Sequence, residues 1–369
     1  MSGTPARTAA DAATADVVCL GESMVTFLPS QPGRLADVPS FGRGIGGAES
    51  NVACALAAAG HRAAWVSRVG ADGFGDHLVD AISGYGVDTS AVRRDSDRPT
   101  GIYFRTATDR AEGVHEVAYY RAGSAASAMS PANVPYEALP AGRVLHLSGI
   151  TAALSADCLA LLRALTAARP GRPLVSFDVN HRPGLWRGSD ASPDVLLDLA
   201  RGADLVFVGE DEAEEAWGIV GAEAIRAALP EPEVLVVKRG AEGATVLSGS
   251  ENQPVRRLRT GGPGATPPVA GNDTVTTVPA LRVDVVAPVG AGDAFAAGFL
   301  SATLRGLPVR DRARHGHLMA AAVLTVPGDL TDPPARDRAD HLVALDDAAW
   351  GRLRLGPGWT GDDMEVRRT

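Results

Sequence analysis

An α/β fold is predicted, with a central, mostly parallel sheet flanked by helices and a small β-sheet lid. Three observations predict it. Short β-branched runs alternate with longer amphipathic segments. The strand runs are apolar nearly throughout, as in a sheet covered on both faces. Two stretches break the alternation with extended, turn-rich chain. The predicted strands are 17–20, 64–69, 144–147, 174–178, 204–208, 234–238 and 244–247, and the predicted helices are 48–59, 75–85, 156–168, 211–217, 222–229, 291–304 and 311–324. Sheets of this kind bind ligands beyond the carboxyl ends of their strands, so motifs just after strands matter most.

The two irregular stretches, 23–44 and 99–122, contain Gly-Ile-Tyr-Phe-Arg and Val-Ala-Tyr-Tyr-Arg. Such alternation suits a small projecting sheet, which serves as a lid or, with an apolar outer face, as an oligomer interface. The main body is placed at 17–330, with 252–277, rich in Gly, Pro and Thr, as a surface insertion and 331–369 as a C-terminal extension. Residues 1–16 are small and polar without an apolar core; they read as a disordered tail and not a secretory signal. No internal repeat is present.

Composition narrows the function classes. The 369-residue chain is 45% apolar and 21% charged, ordinary for a soluble domain. Its net charge is −9 and no basic stripe exists, which argues against a nucleic-acid surface or a polybasic membrane patch. No apolar stretch approaches the roughly 18 residues of a membrane span. Cys19, Cys54 and Cys158 are far apart in apolar runs, as expected of buried free thiols in a reducing cytoplasm. Lys238 is the only lysine, against 34 arginines, and no Gly-Lys pair occurs. A Walker-type P-loop is therefore excluded.

The string Ala-Pro-Val-Gly-Ala-Gly-Asp-Ala-Phe-Ala-Ala-Gly-Phe-Leu runs from 287 to 300. Gly290, Ala291 and Gly292 form a nearly side-chain-free turn that leads straight into an apolar helix. Free amides and the positive end of the helix then point at one spot, where a transferred phosphoryl group would be stabilised without a lysine. Asp293 stands at the helix start, placed to accept a proton from an attacking hydroxyl. The same four residues also suit a tight turn with Asp293 as an ordinary N-cap.

Residues 41–51 read Phe-Gly-Arg-Gly-Ile-Gly-Gly-Ala-Glu-Ser-Asn before a helix. Gly46 and Gly47 let backbone approach a ligand closely, and Asn51 offers a donor and an acceptor to ligand hydroxyls. The formal G-x-G-x-x-G at Gly42, Gly44 and Gly47 is a poor dinucleotide fingerprint, since Pro39-Ser40-Phe41 is a poor parallel strand and no acidic residue ends the next one. Tyr103, Tyr119 and Arg121 lie in the lid stretch, and Arg182 follows the strand ending at Asp178. Arginine forks suit a planar carboxylate, and tyrosines stack on sugar faces. Together they favour an acidic sugar. The tyrosines are equally consistent with lid core, and Arg182 with a phosphate contact or an ion pair to Asp178.

The 287–300 string resembles the C-terminal signature of PfkB-family, ribokinase-like carbohydrate kinases. Gly-Gly-Ala-Glu-Ser-Asn-Val-Ala with Ser-Arg-Val-Gly-Ala-Asp-Gly-Phe-Gly at 67–75 resembles the N-terminal one. The resemblance covers residues 17 to about 328 and implies an ATP-dependent kinase with Asp293 as base and the Gly290, Ala291 and Gly292 amides as anion hole. Ala287-Pro288-Val289 departs from the family's usual Asp-Thr-Thr. The strings Tyr-Tyr-Arg-Ala-Gly-Ser-Ala-Ala-Ser at 119–127 and Asp-Val-Asn-His-Arg-Pro-Gly-Leu-Trp at 178–186 resemble 2-keto-3-deoxygluconate kinases. That likeness implies sugar-acid contacts from Gly46, Gly47, Asn51, Tyr103, Tyr119, Arg121, Arg182 and Asp329, and transfer to the 6-hydroxyl. Fructose, ribose, a nucleoside or the galactonate epimer would be the competing substrates, and a non-catalytic sugar binder the competing class.

Lys238-Arg-Gly-Ala-Glu-Gly resembles the family's ATP-binding turn, implying nucleotide contacts from Lys238, Gly240 and Gly243, with Asn180 beside them; its bland alternative is a β-turn between two strands. His317 stands where many relatives carry an adenine-side Asn. Glu212 stands where relatives organise Mg²⁺ through water, although Gly209 replaces their Asn. His315 and His317 point to different helix faces and make a poor metal pair. A homodimer or higher homo-oligomer is implied by the family's lid.

Overall fold

The computed structural model describes residues 14–106, 116–186, 192–249, 255, 273–361 and 367–368. The 1–16 segment lies outside these up to residue 13, and so does most of 252–277. Strands β1 (Ala15–Leu20), β4 (Ala63–Val66), β9 (Gly142–Ser148), β10 (Leu174–Asp178), β11 (Leu205–Gly209), β12 (Val234–Lys238), β13 (Ala244–Ser248) and β14 (Thr274–Val278) form one eight-stranded sheet. Its order is β14-β13-β12-β11-β10-β9-β1-β4. All neighbours from β12 to β4 are parallel, whereas β13 and β14 are antiparallel.

Helices cover both faces: α1 (Ala48–Ala58), α2 (Gly73–Gly84), α3 (Gly149–Ala152), α4 (Ala156–Thr166), α5 (Pro183–Trp186), α6 (Val195–Arg201), α7 (Glu210–Trp217), α8 (Ala222–Ala228), α9 (Ala291–Leu304), α10 (Val309–Leu324), α11 (Arg336–Val343) and α12 (Asp347–Arg352). The period-2 pleat explains the two cores. Along β1, Val17 and Cys19 belong to the core that includes residues of α1, α9 and α10, while Val18 and Leu20 belong to the one that includes residues of α4, α6 and α8. All three cysteines are buried and free.

The second sheet has order β3-β2-β7-β8, from β2 (Met24–Pro29), β3 (Phe41–Gly46), β7 (Ile102–Arg105) and β8 (Val117–Tyr120). It comes from the two stretches that broke the alternation. Phe27 stacks on Phe104 at 4.7 Å, and Phe41 meets Phe104 edge-on.

Four differences from the sequence expectation have physical causes. β1 begins at Ala15, inside the expected tail, because Ala15 N–H reaches the Ala141 carbonyl. The expected strand 64–69 breaks at Ser67, and β5 (Arg68–Gly70) pairs instead with β6 (Arg93–Asp95). The end of the expected insertion is edge strand β14, whose Thr-Val-Thr-Thr-Val buries only Thr276 and Val278. The C-terminal extension joins the core, with Trp350, Leu353 and Leu355 fully buried.

Because β1, β9, β10, β11 and β12 are parallel, their carboxyl ends lie along one edge. Glu22, Ser148, Asp178, Gly209 and Lys238 stand at or just beyond those ends. The candidate site is built there.

Candidate active site

Helix α9 starts from Gly290, which is left-handed at φ 79°. A Cβ at Gly290 would lie 2.6 Å from the Asp329 carbonyl oxygen, so both conformation and space require glycine. Among the described residues no side-chain cap bond is seen at the start of this 14-residue helix, where free amides suit an anion. A Cβ on Gly292 would lie 3.6 Å from Lys238 Nζ, so the only lysine reaches the same turn.

Asp293, in that turn, accepts a hydrogen bond from Asn51 Nδ2 at 2.8 Å. Asn51 sits in the first turn of α1, which packs against α9. Burial pushes the Asp293 carboxyl up to about 7; the Asn51 bond, Arg182 and Lys238 pull against this, while Asp178 adds to it. A carboxylate so poised suits a general base at neutral pH.

Lys238 Nζ lies 3.0 Å from both oxygens of Asp178. Burial alone would lower the ammonium pKa; Asp178, Glu212 and Asp293 outweigh it and raise the net value, so Lys238 stays charged. Asp178 is therefore not the partner of Arg182. Arg182 is half exposed, and its Nη1 meets Glu212 at 3.4 Å and donates to the His181 carbonyl at 3.0 Å. The other oxygen of Glu212 accepts the Gly209 N–H at 2.9 Å, so this residue also caps α7. Among the described residues no group of three His, Cys, Asp or Glu is arranged to hold a metal by itself.

Tyr103 and Asp329 meet at the second sheet, with the tyrosine hydroxyl donating to Oδ2 at 3.2 Å. Arg105 donates to Oδ1 at 2.7 Å, in an ion pair at most 5% exposed on either side. Burial raises the Asp329 pKa against the pull of Arg105 and Tyr103. A Cβ on Gly46 would fall 2.3 Å from the Tyr103 hydroxyl, so glycine makes room for this junction. Tyr119 lies 5.5 Å from Tyr103, ring to ring, with Arg121 beside it. Arg121 pairs with Glu22.

Gly240 and Gly243, both at positive φ, make the turn between β12 and β13. The Val278 carbonyl abuts Gly243 and is hydrogen-bonded to His317 Nε2 at 3.2 Å. The turn and His317 are thus neighbours, with His317 buried edge-on to Phe295 and its pKa lowered by burial to about 4. Asn180, left-handed at φ 43°, is buried with its Oδ1 unpartnered among the described residues. Open helix amides and a charged lysine at the turn are what a nucleotide phosphate site needs.

Sequence reasoning passed over Glu22, Glu49 and Arg105. Glu22 had a signal, being an acidic residue directly after an apolar strand in a parallel sheet. Arg105 shares the β7 face of Tyr103 by alternation. Glu49 had none. Its fully buried carboxyl is pushed up to about 7 by burial, and it accepts from the Ser148 and Thr151 hydroxyls at 2.8 Å.

The sequence matches the pfkB family carbohydrate kinase profile over residues 14–336. It is 34% identical over 332 residues to the 2-dehydro-3-deoxygluconokinase of Bacillus subtilis (strain 168), covering 89% of this chain and 95% of that protein. The 2-dehydro-3-deoxygluconokinase of Thermoproteus tenax is 32% identical over 330 residues, with coverage of 89% and 94%. The crystal structure of a PfkB protein from Polaromonas sp. JS666 aligns with a TM-score of 0.70 at 32% identity, covering 88% of this chain and 99% of that one.

Proposed function

The chain belongs to the pfkB family of carbohydrate kinases, and from that premise we propose that it phosphorylates the 6-hydroxyl of 2-keto-3-deoxygluconate. This is the substrate named, as 2-dehydro-3-deoxygluconate, for its Bacillus and Thermoproteus relatives. One observation carries the reading: a carboxyl poised near pH 7 is tethered by Asn51 at an uncapped, glycine-lined helix start.

ATP, when bound, supplies the phosphoryl group, and Mg²⁺ screens its charges. Lys238, Asn180, the Gly240–Gly243 turn and His317 form the nucleotide side of the site, and Glu212 is the acidic group available to a hydrated Mg²⁺. Asp293 takes the proton of the sugar hydroxyl. The amides of Gly290, Ala291 and Gly292 stabilise the charge that develops as the phosphoryl group moves. Asn51 orients the base, and Gly46 and Gly47 allow the sugar close to backbone. Tyr103, Tyr119, Arg121, Arg182 and Asp329 line the sugar-acid side, where the arginines answer the carboxylate. Lid closure would exclude water from the transfer.

The test is an ADP-coupled assay over 2-keto-3-deoxygluconate, its galactonate epimer, fructose, ribose and a nucleoside. The expected outcome is a kcat/KM on the gluconate acid at least about tenfold above that on any neutral sugar. Turnover of fructose with none on either acid would defeat the substrate assignment.

A further inference from the structure

Glu22 follows Gly21 at the carboxyl end of β1, and its side chain is 1% exposed. A carboxylate at that depth is tolerable only with partners. Both of its oxygens have one: Oε1 accepts the Ser124 hydroxyl at 2.6 Å, and Oε2 accepts Nη2 of Arg121. The Arg121 side chain is itself only 10% exposed, yet its Nε has no partner among the described residues. A guanidinium carries five N–H groups in a rigid fork, so the bond to Glu22 leaves donors unused on a buried, immobilised group. The Tyr119 ring, 5.8 Å from Arg121 Cζ, flanks it.

Glu22 is also tied to the sugar loop. Its carbonyl oxygen lies only 2.4 Å from where a Cβ of Gly47 would stand, and a Cβ of Gly101 would lie 3.0 Å from its Oε1. It is thus wedged between the loop entering α1 and the start of β7. Arg121 and Ser124, just after β8, are thereby fixed relative to Gly47, which leads into the helix that carries Asn51.

We propose that Glu22 is a positioning and specificity residue: it grips Arg121 by one nitrogen so that the remaining N–H edge faces the substrate carboxylate as a preformed fork. The inference rests on the sugar-acid reading above. Without Glu22 the arginine would have to be ordered at each binding event, and an unpaired cation would be left buried in the empty site. Ground-state binding of the acid would suffer far more than the transfer step, because the reacting hydroxyl is at the other end of the sugar.

Calorimetry on the full-length chain without ATP, with 2-keto-3-deoxygluconate and with fructose as probes, isolates the substrate reading. If wild type binds fructose and not the acid, that reading fails and the proposal falls with it. If wild type binds the acid, the variants decide on Glu22 alone. Glu22→Gln should raise KM for the acid about 30-fold while kcat falls less than about threefold, and Glu22→Asp should recover part of the loss. Equal losses in kcat and kcat/KM would overturn the proposal. If Glu22→Gln does not fold, Arg121→Met is compared with Glu22→Gln/Arg121→Met, which removes both buried charges. Equal KM values in these two are expected, because Glu22 acts only through the guanidinium. A further rise in the double variant would overturn it.

Discussion

Asp293 is held between burial, which favours its proton, and Asn51, which favours its charge. In its proposed role as base it must be ionised, so kcat/KM should climb with pH through about 7 and level off above. Asn51→Ala removes a bond that lowers the pKa, and the pH–rate limb should move upward. Asp293→Asn should lose about 10³-fold or more in turnover while sugar binding persists in calorimetry. The same substitution should stabilise the fold at alkaline pH. A carboxyl whose folded value lies above its unfolded one contributes stability below the unfolded value and loses it as pH rises through about 7. Asp293 is partly exposed, and solvent screens the effect. A Tm gain of about 2–4 °C at pH 8, shrinking towards pH 4, is expected by calorimetric scanning. Lys238 makes a different case. Thirty-four other basic positions carry arginine, but here a compact ammonium fits between Asp178 and the Gly292 turn. Lys238→Arg should cost about 10²-fold in kcat, measured at saturating sugar, because the wider guanidinium displaces the turn.

At the scale of elements, α9 and the four-stranded sheet meet at Asp329. Its backbone abuts Gly290, and its carboxylate takes Arg105 and Tyr103 from β7. Gly46, in β3, is packed against this junction. Gly46→Ala would drive a methyl into the tyrosine hydroxyl at the end of a rigid ring, so β3 and β7 must separate. KM for the sugar should rise about tenfold or more while KM for ATP is nearly unchanged, in steady-state kinetics. Elements with a continuous apolar pattern were legible in the sequence: β10, β12 and α9 fall on the expected bounds. Edge strand β14 was not. Only alternate residues of it are buried, and its threonines carry no apolar signal.

At the scale of the whole molecule, the segment beyond residue 335 closes the core on the α10 side. Trp350 is fully buried, donates to the Pro279 carbonyl at 3.0 Å, and lies under the Arg314 guanidinium at 4.5 Å. Arg314 in turn donates to the Val343 carbonyl at 2.8 Å. Trp350→Ala should therefore destabilise the protein by about 3–5 kcal/mol in denaturant titration, through the cavity and the unpaired carbonyl left behind.

The sequence by itself determined the layered α/β class, the exclusion of a P-loop, and the pairing of a glycine turn with Asp293, because periodicity and local turn chemistry are written in neighbouring residues. Only the tertiary structure decided partners far apart in the chain: Asn51 with Asp293, Lys238 with Asp178 in place of Arg182, Arg105 with Asp329, and Glu22 with Arg121. A buried charge must find an opposite charge or a donor, and which one it finds depends on where the strand ends converge.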